Sequence, residues 1–160
     1  MPTDAQRLAA RERPQGFPVM RQRWAGLLFL HWPIEISLIQ DRLPPGLHVD
    51  TFNGQAWIGV VPFFMQRVRP VGLPPVPWLS WFLELNVRTY VHDEQGRPGV
   101  WFYSLDCNQR LAVWTARTFF HLPYQNACMS ARLSDGCIDY RCQRSGALTE
   151  SHFRYRISAA

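Results

Sequence analysis

The chain has 160 residues, a length that suits one domain, because a chain of this size can bury about 70% of the surface that its unfolded form exposes. The formal net charge is +5, and all 17 basic residues are arginine, which excludes a lysine Schiff base with a carbonyl substrate. The four cysteines form no CxxC pair and have no histidine at zinc-site spacing, which argues against a metal site and predicts reduced thiols.

The same features predict a cytoplasmic protein that uses no cofactor and binds neither membranes nor nucleic acid. The apolar runs are too short to span a bilayer, and the first residues lack the apolar segment of a signal peptide. The arginines are scattered and form no nucleic-acid-binding motif. Nucleic-acid binding, the least favoured class of function, would require clustered surface arginines and salt-dependent retention on DNA or heparin.

The first part of the chain predicts a flexible arm, a strand and a short helix. Residues 1–20 are polar and charged and predict the arm, with a short helix over residues 4–12. The apolar run WAGLLFLHWPI, residues 24–34, has the composition of one continuous strand. Residues 35–43 have apolar side chains near helical spacing, and the two prolines that follow end this helix.

Three turn signals lie between segments of strand character and predict three hairpins. They are Asn53-Gly54, Gln95-Gly96 and Asp135-Gly136. The proline-rich segment at residues 69–80 predicts a long loop, and loops of this length are often functional. The alternating segment ESHFRYRIS, residues 150–158, predicts a last strand.

Residues 107–121 predict a helix between the second and third hairpins. Asp106 and Gln109 have the spacing of a capping box, and Pro123 disfavours helical geometry in the residue before it and so ends the helix. The elements together predict an α+β fold that is mostly antiparallel β. A curved sheet or partly closed barrel with one or two flanking helices would accommodate this many consecutive hairpins.

The segment FLELNVRTYV, residues 82–91, predicts a strand with a polar stripe. Glu84, Asn86 and Arg88 share one face, and Glu84 and Arg88 lie roughly 13 Å apart along the strand. Such a face is often solvated in antiparallel sheets. The alternative is a cleft in which the two charged groups orient a ligand and burial raises the pKa of Glu84, so that this group acts as a general acid or base.

Two aromatic residues are weaker candidates for a ligand site. Trp32 follows His31 at the end of the first strand, and Tyr103 alternates with Trp101 on the strand after Gly99. Each has a simpler interpretation, as a strand-end residue or as a core residue.

Five segments, taken in order, resemble the YqjF-like family of uncharacterised proteins. They are LLFLHWPI, LPPGLHVDTFNGQAWIGVVPF, GLPPVPWLSWFLELNVRTYV, GRPGVWFYSLD and RLAVWTARTFFHLPY. The resemblance covers about residues 20–158. That family is placed with the acetoacetate decarboxylase-like proteins, so the resemblance implies a β-barrel or cone-shaped sheet with flanking helices around a pocket.

The resemblance also assigns positions to a catalytic segment. In decarboxylases of this superfamily a helix with an arginine leads into a Gly-aromatic-Pro-Lys-Lys segment, where one lysine forms the Schiff base and a neighbouring cation lowers the pKa of that lysine. Arg117 and Pro123 match the helix arginine and the proline, and Glu84 matches a glutamate on a neighbouring strand. Tyr124 and Gln125 stand where the lysines belong, so this chain has neither the nucleophile nor its activator.

On this basis we expect an arm over residues 1–20 and a single acetoacetate decarboxylase-like domain over residues 21–160 that lacks the C-terminal part of the family. An exposed edge strand would favour a homodimer. We expect the domain to bind, or to convert without a Schiff base, a small organic acid or carbonyl compound. The alternative is a non-enzymatic structural or protein-interaction module that has lost the catalytic lysines.

The candidate ligand-binding residues come from the polar stripe, the segment after Pro123 and the two aromatic positions. In this prediction Arg88 binds an anionic group, since a guanidinium matches a carboxylate with two hydrogen bonds. Glu84 orients the ligand or transfers a proton, and Tyr124 donates a hydrogen bond. The full set is Glu84, Arg88, Asn86, Tyr124, Gln125, Tyr103 and Trp32.

Overall fold

A computed structural model of the chain describes residues 1–13 and 15–157, and in these residues it contains three helices and nine strands. The helices are α1 (Asp4–Ala9), α2 (Ile36–Gln40) and α3 (Arg110–Phe120). The strands are β1 (Met20–Ala25), β2 (Leu30–Ile34), β3 (Leu47–Val49), β4 (Ala56–Pro70), β5 (Phe82–Asp93), β6 (Pro98–Cys107), β7 (Tyr124–Ser134), β8 (Cys137–Arg144) and β9 (Ser151–Arg156). No helix formed by the described residues is both long and apolar enough to cross a membrane.

The strands form one sheet in the order β1-β4-β5-β6-β7-β8-β9, with β2 paired to β4 and β3 paired to β5. Strands β1 and β2 run antiparallel to β4, β3 runs antiparallel to β5, and β7, β8 and β9 are antiparallel to one another. Strands β6 and β7 are parallel, and α3 forms the crossover that a parallel pair requires. The predicted mostly antiparallel sheet with flanking helices is confirmed, whereas the parallel pair was not predicted.

The chain divides into two compact units, and β4, β5 and β6 each contribute residues to both. The first unit comprises Met1–Phe17, Leu30–Val60 and Val87–Tyr103, and the second comprises Pro18–Phe29, Val61–Asn86 and Ser104–Ala160. In the first unit, a buried cluster contains Ile39, Val49 and Ala56. In the second unit, a buried cluster contains Val61, Phe63 and Met65.

The apolar run that predicts one first strand forms two strands. Strand β1 ends at Ala25, β2 begins at Leu30, and both pair with β4. Gly26 interrupts the run with a φ of +57°, a conformation that glycine adopts without steric cost. A Cβ atom at Gly26 would also lie 2.9 Å from the ring of Phe64. The prediction of one strand is wrong because apolar residues stand on both sides of the break, so the pattern gave no sign of it.

The Asn53-Gly54 turn is present, but the residues on its two sides form a single bridge, Phe52 to Gln55, and not the two-stranded hairpin that the sequence predicts. Both turn residues have positive φ, and Phe52 and Gln55 exchange backbone hydrogen bonds of 3.0 and 3.2 Å. The preceding strand, β3, pairs with β5 and not with β4. The turn therefore reverses the chain locally, while the strands on its two sides have different partners.

The other two predicted hairpins are confirmed. Gly96 has a φ of +75° in the turn that joins β5 to β6. Asp135-Gly136 joins β7 to β8, and the pairing continues in register from Ser134 opposite Cys137. The last predicted strand is also present as β9, which pairs with β8.

Helix α3 begins at Arg110, three residues later than the sequence predicts, and without the predicted capping box. Gln109 is the N-cap residue, and its side-chain oxygen accepts a hydrogen bond from the backbone N–H of Leu111 at 2.9 Å. Asp106 lies instead in β6, where it is 5% exposed and accepts hydrogen bonds of 2.8 and 3.1 Å from Arg144. A buried carboxylate needs a charged partner, so Asp106 is committed to this ion pair and cannot cap the helix.

The end of α3 agrees with the sequence prediction. The helix stops at Phe120, and His121 is the C-cap residue in the left-handed conformation. Pro123 follows, and Tyr124 is already the first residue of β7. The segment after the proline is therefore a strand that starts next to β6, which places Tyr124 opposite Leu105.

Tyr140 of β8 connects three strands within the second unit. Its side chain is fully buried, and its hydroxyl lies 2.9 Å from the carbonyl oxygen of Glu84 on β5 and 3.2 Å from that of Phe63 on β4. Edge-to-face contacts with Phe64 and Phe153 hold the ring. This hydroxyl fixes the backbone of Glu84, which matters because the Glu84 side chain belongs to the candidate site.

We expect Tyr140→Phe to lower the free energy of unfolding by about 1–2 kcal/mol, because buried carbonyl oxygens lose their donor. Urea denaturation at constant pH measures this change. Tyr103→Phe is the matched control, since the Tyr103 hydroxyl is buried and has no hydrogen-bond partner among the described residues. The control should leave the free energy of unfolding unchanged or slightly raised. Equal losses of this free energy in the two variants would contradict the role of the Tyr140 hydroxyl as a hydrogen-bond donor.

Candidate functional site

Glu84 is a buried carboxylic acid in the middle of a small polar group. Its side chain accepts a hydrogen bond of 2.9 Å from the hydroxyl of Tyr124 and a further hydrogen bond from the side chain of Asn86. Glu84 is 3% exposed and Asn86 is 6% exposed. Of the two interpretations of the polar stripe, a solvated face is therefore wrong for these two residues.

Burial raises the pKa of Glu84 from its usual 4.5 to about 7, because removal from water penalises the carboxylate form. The hydrogen bonds from Tyr124 and Asn86 lower the pKa, but their effect is smaller than that of burial. A carboxyl group that titrates near neutral pH is populated in both protonation states. It can therefore give up a proton or take one at the pH of most cells.

Arg117 of α3 holds the residues that present Tyr124. Its Nε donates to the carbonyl oxygen of Tyr124 at 2.5 Å, and its Nη2 donates to Oε1 of Gln125 at 2.8 Å. The guanidinium thus fixes the first two residues of β7 against the end of the preceding helix. Burial, followed by the charge of Glu84, raises the pKa of the Tyr124 phenol, so this hydroxyl stays protonated and acts as a donor.

Two buried amide oxygens in the described part of the second unit lack a hydrogen-bond partner there. The Oδ1 atoms of Asn86 and Asn126 are buried and have no partner among the described residues. A buried acceptor without a donor is costly, and native structures contain few of them. The Asn86 oxygen, which belongs to the amide that also bonds Glu84, would be satisfied by a hydroxyl or N–H group of a bound molecule.

Cys107 is too strongly buried to replace the missing lysine as a nucleophile. It is fully buried, and desolvation raises the pKa of its thiol to about 12, an effect to which the charges of Glu84 and Asp106 add. The reactive thiolate is therefore scarce at neutral pH. All four cysteines are free, and the described residues contain no group of three or more His, Cys, Asp or Glu side chains arranged to bind a metal.

The remaining predicted site residues, Trp32, Arg88 and Tyr103, lie in the first unit. Trp32 is 48% exposed on β2, and Tyr103 packs against the apolar cluster of that unit. The guanidinium carbon of Arg88 lies 5.8 Å from the ring centroid of Tyr90. The seven predicted residues thus divide between the two units, and the direct contacts seen around Glu84 come from residues of the second unit.

The described residues outline surface cavities with volumes of about 390, 540 and 650 Å³. Glu84, Asn86 and Tyr124 line none of these three cavities. A small-molecule pocket at Glu84 therefore stays a prediction, and the geometry establishes only a buried acid with neutral hydrogen-bonding partners.

Residues 21–160 match the DUF2071 family, which is described as an uncharacterized conserved protein. The uncharacterized protein YqjF of Bacillus subtilis (strain 168) is 47% identical over 148 residues, which amount to 92% of this chain and 61% of YqjF. This chain therefore spans about three fifths of the length of the curated relative that it matches.

Similar solved structures are acetoacetate decarboxylase-like. Acetoacetate decarboxylase from Legionella pneumophila has a TM-score of 0.61 at 11% identity, over 89% of this chain and 54% of that one. An acetoacetate decarboxylase-like enzyme from Sphingomonas wittichii has a TM-score of 0.62 at 15% identity, over 80% and 54%. The enduracididine biosynthesis enzyme MppR, complexed with pyruvate, has a TM-score of 0.59 at 14% identity, over 86% and 57%. At these identities the likeness establishes the fold, and it confirms the predicted fold class.

The raised pKa of Glu84 predicts a dependence of stability on pH. Between pH 4.5 and about 7 the folded protein keeps the Glu84 proton while the unfolded chain has lost it. The folded state then binds more protons, so this contribution to stability is complete below pH 4.5 and is lost as the pH rises through 7. The free energy of unfolding of Glu84→Gln, measured relative to that of the wild type, should rise by up to about 3 kcal/mol across this pH range. Above this range the difference should stay constant.

Urea denaturation of both proteins at several pH values from 4.5 to 8 measures the difference in free energy of unfolding. Glu94→Gln is the control, because Glu94 is an exposed glutamate in the turn between β5 and β6. Its difference from the wild type should not change with pH. If the difference in free energy of unfolding between Glu84→Gln and the wild type is also independent of pH, the pKa of Glu84 is not raised and the prediction is wrong.

Proposed function

Because this chain belongs to the DUF2071 family and has the acetoacetate decarboxylase-like fold, we propose that it binds, or converts without a Schiff base, a small organic acid or carbonyl compound at Glu84. One observation carries the proposal. A buried carboxyl group that titrates near pH 7 lies beside a phenol donor and a buried amide acceptor that no described residue satisfies. Perturbed acids with such neighbours are frequent in ligand sites.

The absence of lysine limits which chemistry the proposal includes. Every one of the 17 basic residues is arginine, so a carbonyl ligand cannot form an imine with a lysine side chain. What remains is binding, or proton transfer by Glu84. Ionised Glu84 can accept a proton from the carbon next to a carbonyl group, and the resulting carboxylic acid can return the proton to the same or another atom.

Tyr124 complements Glu84 because the phenol stays protonated at neutral pH. Its hydroxyl can donate to the oxygen on which negative charge develops when the neighbouring carbon loses a proton. The unsatisfied Oδ1 of Asn86 favours a ligand that also carries a hydroxyl or N–H donor. The similar enzyme MppR has been solved with pyruvate, a small keto acid, and this supports the proposed class of ligand.

The alternative function is a non-enzymatic structural or protein-interaction module. Its support is that Glu84 and Tyr124 bond to each other and that neither lines the three cavities described. In this case the Glu84–Tyr124 hydrogen bond would join β5 to β7, and the raised pKa of Glu84 would be a by-product of burial.

Thermal shift measurements with pyruvate, acetoacetate, acetate and acetone separate the two functions. We expect at least one of these compounds to raise the Tm of the wild type. Glu84→Gln and Tyr124→Phe should weaken that binding about tenfold or more, since each removes a hydrogen bond to the ligand. Glu94→Gln is the matched control and should bind as the wild type does. If none of the four stabilises the wild type, the ligand-binding proposal fails in favour of the structural module.

The role of Arg88 is a further part of the proposal. If its guanidinium binds the anionic group of the ligand, Arg88→Gln should weaken the binding of pyruvate and acetate but leave that of acetone unchanged. Equal loss for the charged and uncharged compounds would assign Arg88 a structural role. Homodimer formation and the lack of affinity for nucleic acid also stay predictions, and sedimentation and heparin retention test them.

A further inference from the structure

A second candidate site lies in the first unit, around the carboxylate of Asp50. This residue follows β3 and is 7% exposed, and its backbone N–H donates to the carbonyl oxygen of Tyr90 at 3.0 Å. Asp50 borders the cavity of about 390 Å³. The other lining residues include three aromatic side chains, those of Phe52, Trp57 and Tyr90. A carboxylate among aromatic rings is an arrangement that suits a cation.

In this chain the carboxylate is already occupied by a cation from the N-terminal arm. Both terminal nitrogens of Arg7 donate to Asp50, Nη1 to Oδ2 and Nη2 to Oδ1 at 2.6 Å. This is the paired geometry in which a guanidinium binds a carboxylate most strongly. Arg7 is on α1, which lies outside the residues 21–160 that match the family. The cation is thus supplied by a segment that the family match does not include.

Helix α1 is held largely by polar contacts. It has six residues, none of which is buried. Apart from the Arg7 pair, its Gln6 side chain donates to the carbonyl oxygen of Gln95 at 3.1 Å. Apart from the Arg7 pair, little apolar burial opposes the separation of α1, although Pro2 just before the helix is buried. Detachment of α1 would leave the buried Asp50 carboxylate without its cation, which is unfavourable until another cation binds.

The other groups that line the cavity are compatible with a cationic occupant. Nε2 of His31 lies 2.7 Å from the hydroxyl of Tyr90, and the two rings are stacked. Burial, and to a lesser extent the charge of Arg88, lowers the pKa of His31, so this imidazole is neutral at pH 7. Arg88 lies against the ring of Tyr90 but is not among the residues that line the cavity. Among the described residues that line this cavity, Arg7 is therefore the one arginine.

We propose that Asp50 and the surrounding aromatic side chains form a binding site for a guanidinium-bearing ligand, and that Arg7 occupies this site as a built-in competitor. A guanidinium is preferred over an alkylammonium because its planar fork reproduces the two hydrogen bonds that Arg7 makes. The arm competes within the same molecule, so a free ligand must displace a group whose effective concentration is high. The site is independent of Glu84 and of the function proposed there.

Calorimetric titration of agmatine into the wild type and into Arg7→Ala tests this proposal. A tethered competitor acts at millimolar effective concentration, so its removal should tighten agmatine binding by about tenfold or more. 1,4-Diaminobutane, which has a second ammonium group in place of the guanidinium of agmatine, should bind to the variant more weakly than agmatine does. Arg11→Ala is the matched control, since Arg11 is an exposed arginine just after α1, and it should bind agmatine as the wild type does.

A thermal denaturation series keeps the test decisive if Arg7→Ala is poorly folded. In that case agmatine should raise its Tm, or restore its folding, more than it does for the wild type. The double variant Arg7→Ala/Asp50→Asn should lose both effects. The proposal is overturned if Arg7→Ala neither binds agmatine more tightly than the wild type nor is stabilised by it more. It is also overturned if the double variant responds to agmatine as Arg7→Ala does.

Discussion

The hydrogen bond between the Tyr124 hydroxyl and the buried Glu84 carboxyl group is the central contact of the candidate site in the second unit. It joins the start of β7 to β5, two strands that are not neighbours in the sheet order. Other contacts hold its two ends in place. Arg117 fixes the backbone of Tyr124 from α3, and Tyr140 bonds to the backbone carbonyl of Glu84. The geometry of the candidate site therefore comes from helix and strand contacts that surround it.

Three buried carboxyl groups show how differently this protein stabilises a buried acid. Asp106 is paired with Arg144 in the second unit, and Asp50 is paired with Arg7 in the first. Each of these two has a guanidinium to offset the loss of hydration. Glu84 differs, because the groups that bond to its side chain, Tyr124 and Asn86, are neutral and offset only part of that loss. Because no cation among the described residues faces the Glu84 carboxyl group, burial raises its pKa.

Local signals in the sequence predicted most of the elements, but some of their boundaries and partners differ. The turn at Asp135-Gly136 and the end of α3 before Pro123 are encoded by residues close together in the chain, and both are confirmed. The single strand predicted for residues 24–34 is two strands, and Asp106 forms an ion pair where a helix cap was predicted. The first error arose because apolar residues continue on both sides of the break at Gly26, and the second because Arg144, the partner of Asp106, is distant in the sequence.

For the candidate site, the sequence by itself determined which chemistry is absent and which residue types are available. It contains no lysine, and it places Glu84 and Asn86 on one face of a strand and Tyr124 after a helix-ending proline. Only the tertiary structure decided that Glu84 is buried and that Tyr124 reaches it, while Arg88 belongs to the other unit. The physical reason is that burial and the pKa of Glu84 depend on strand pairing, above all on the parallel pair β6–β7. No short-range pattern of residues specifies that pairing.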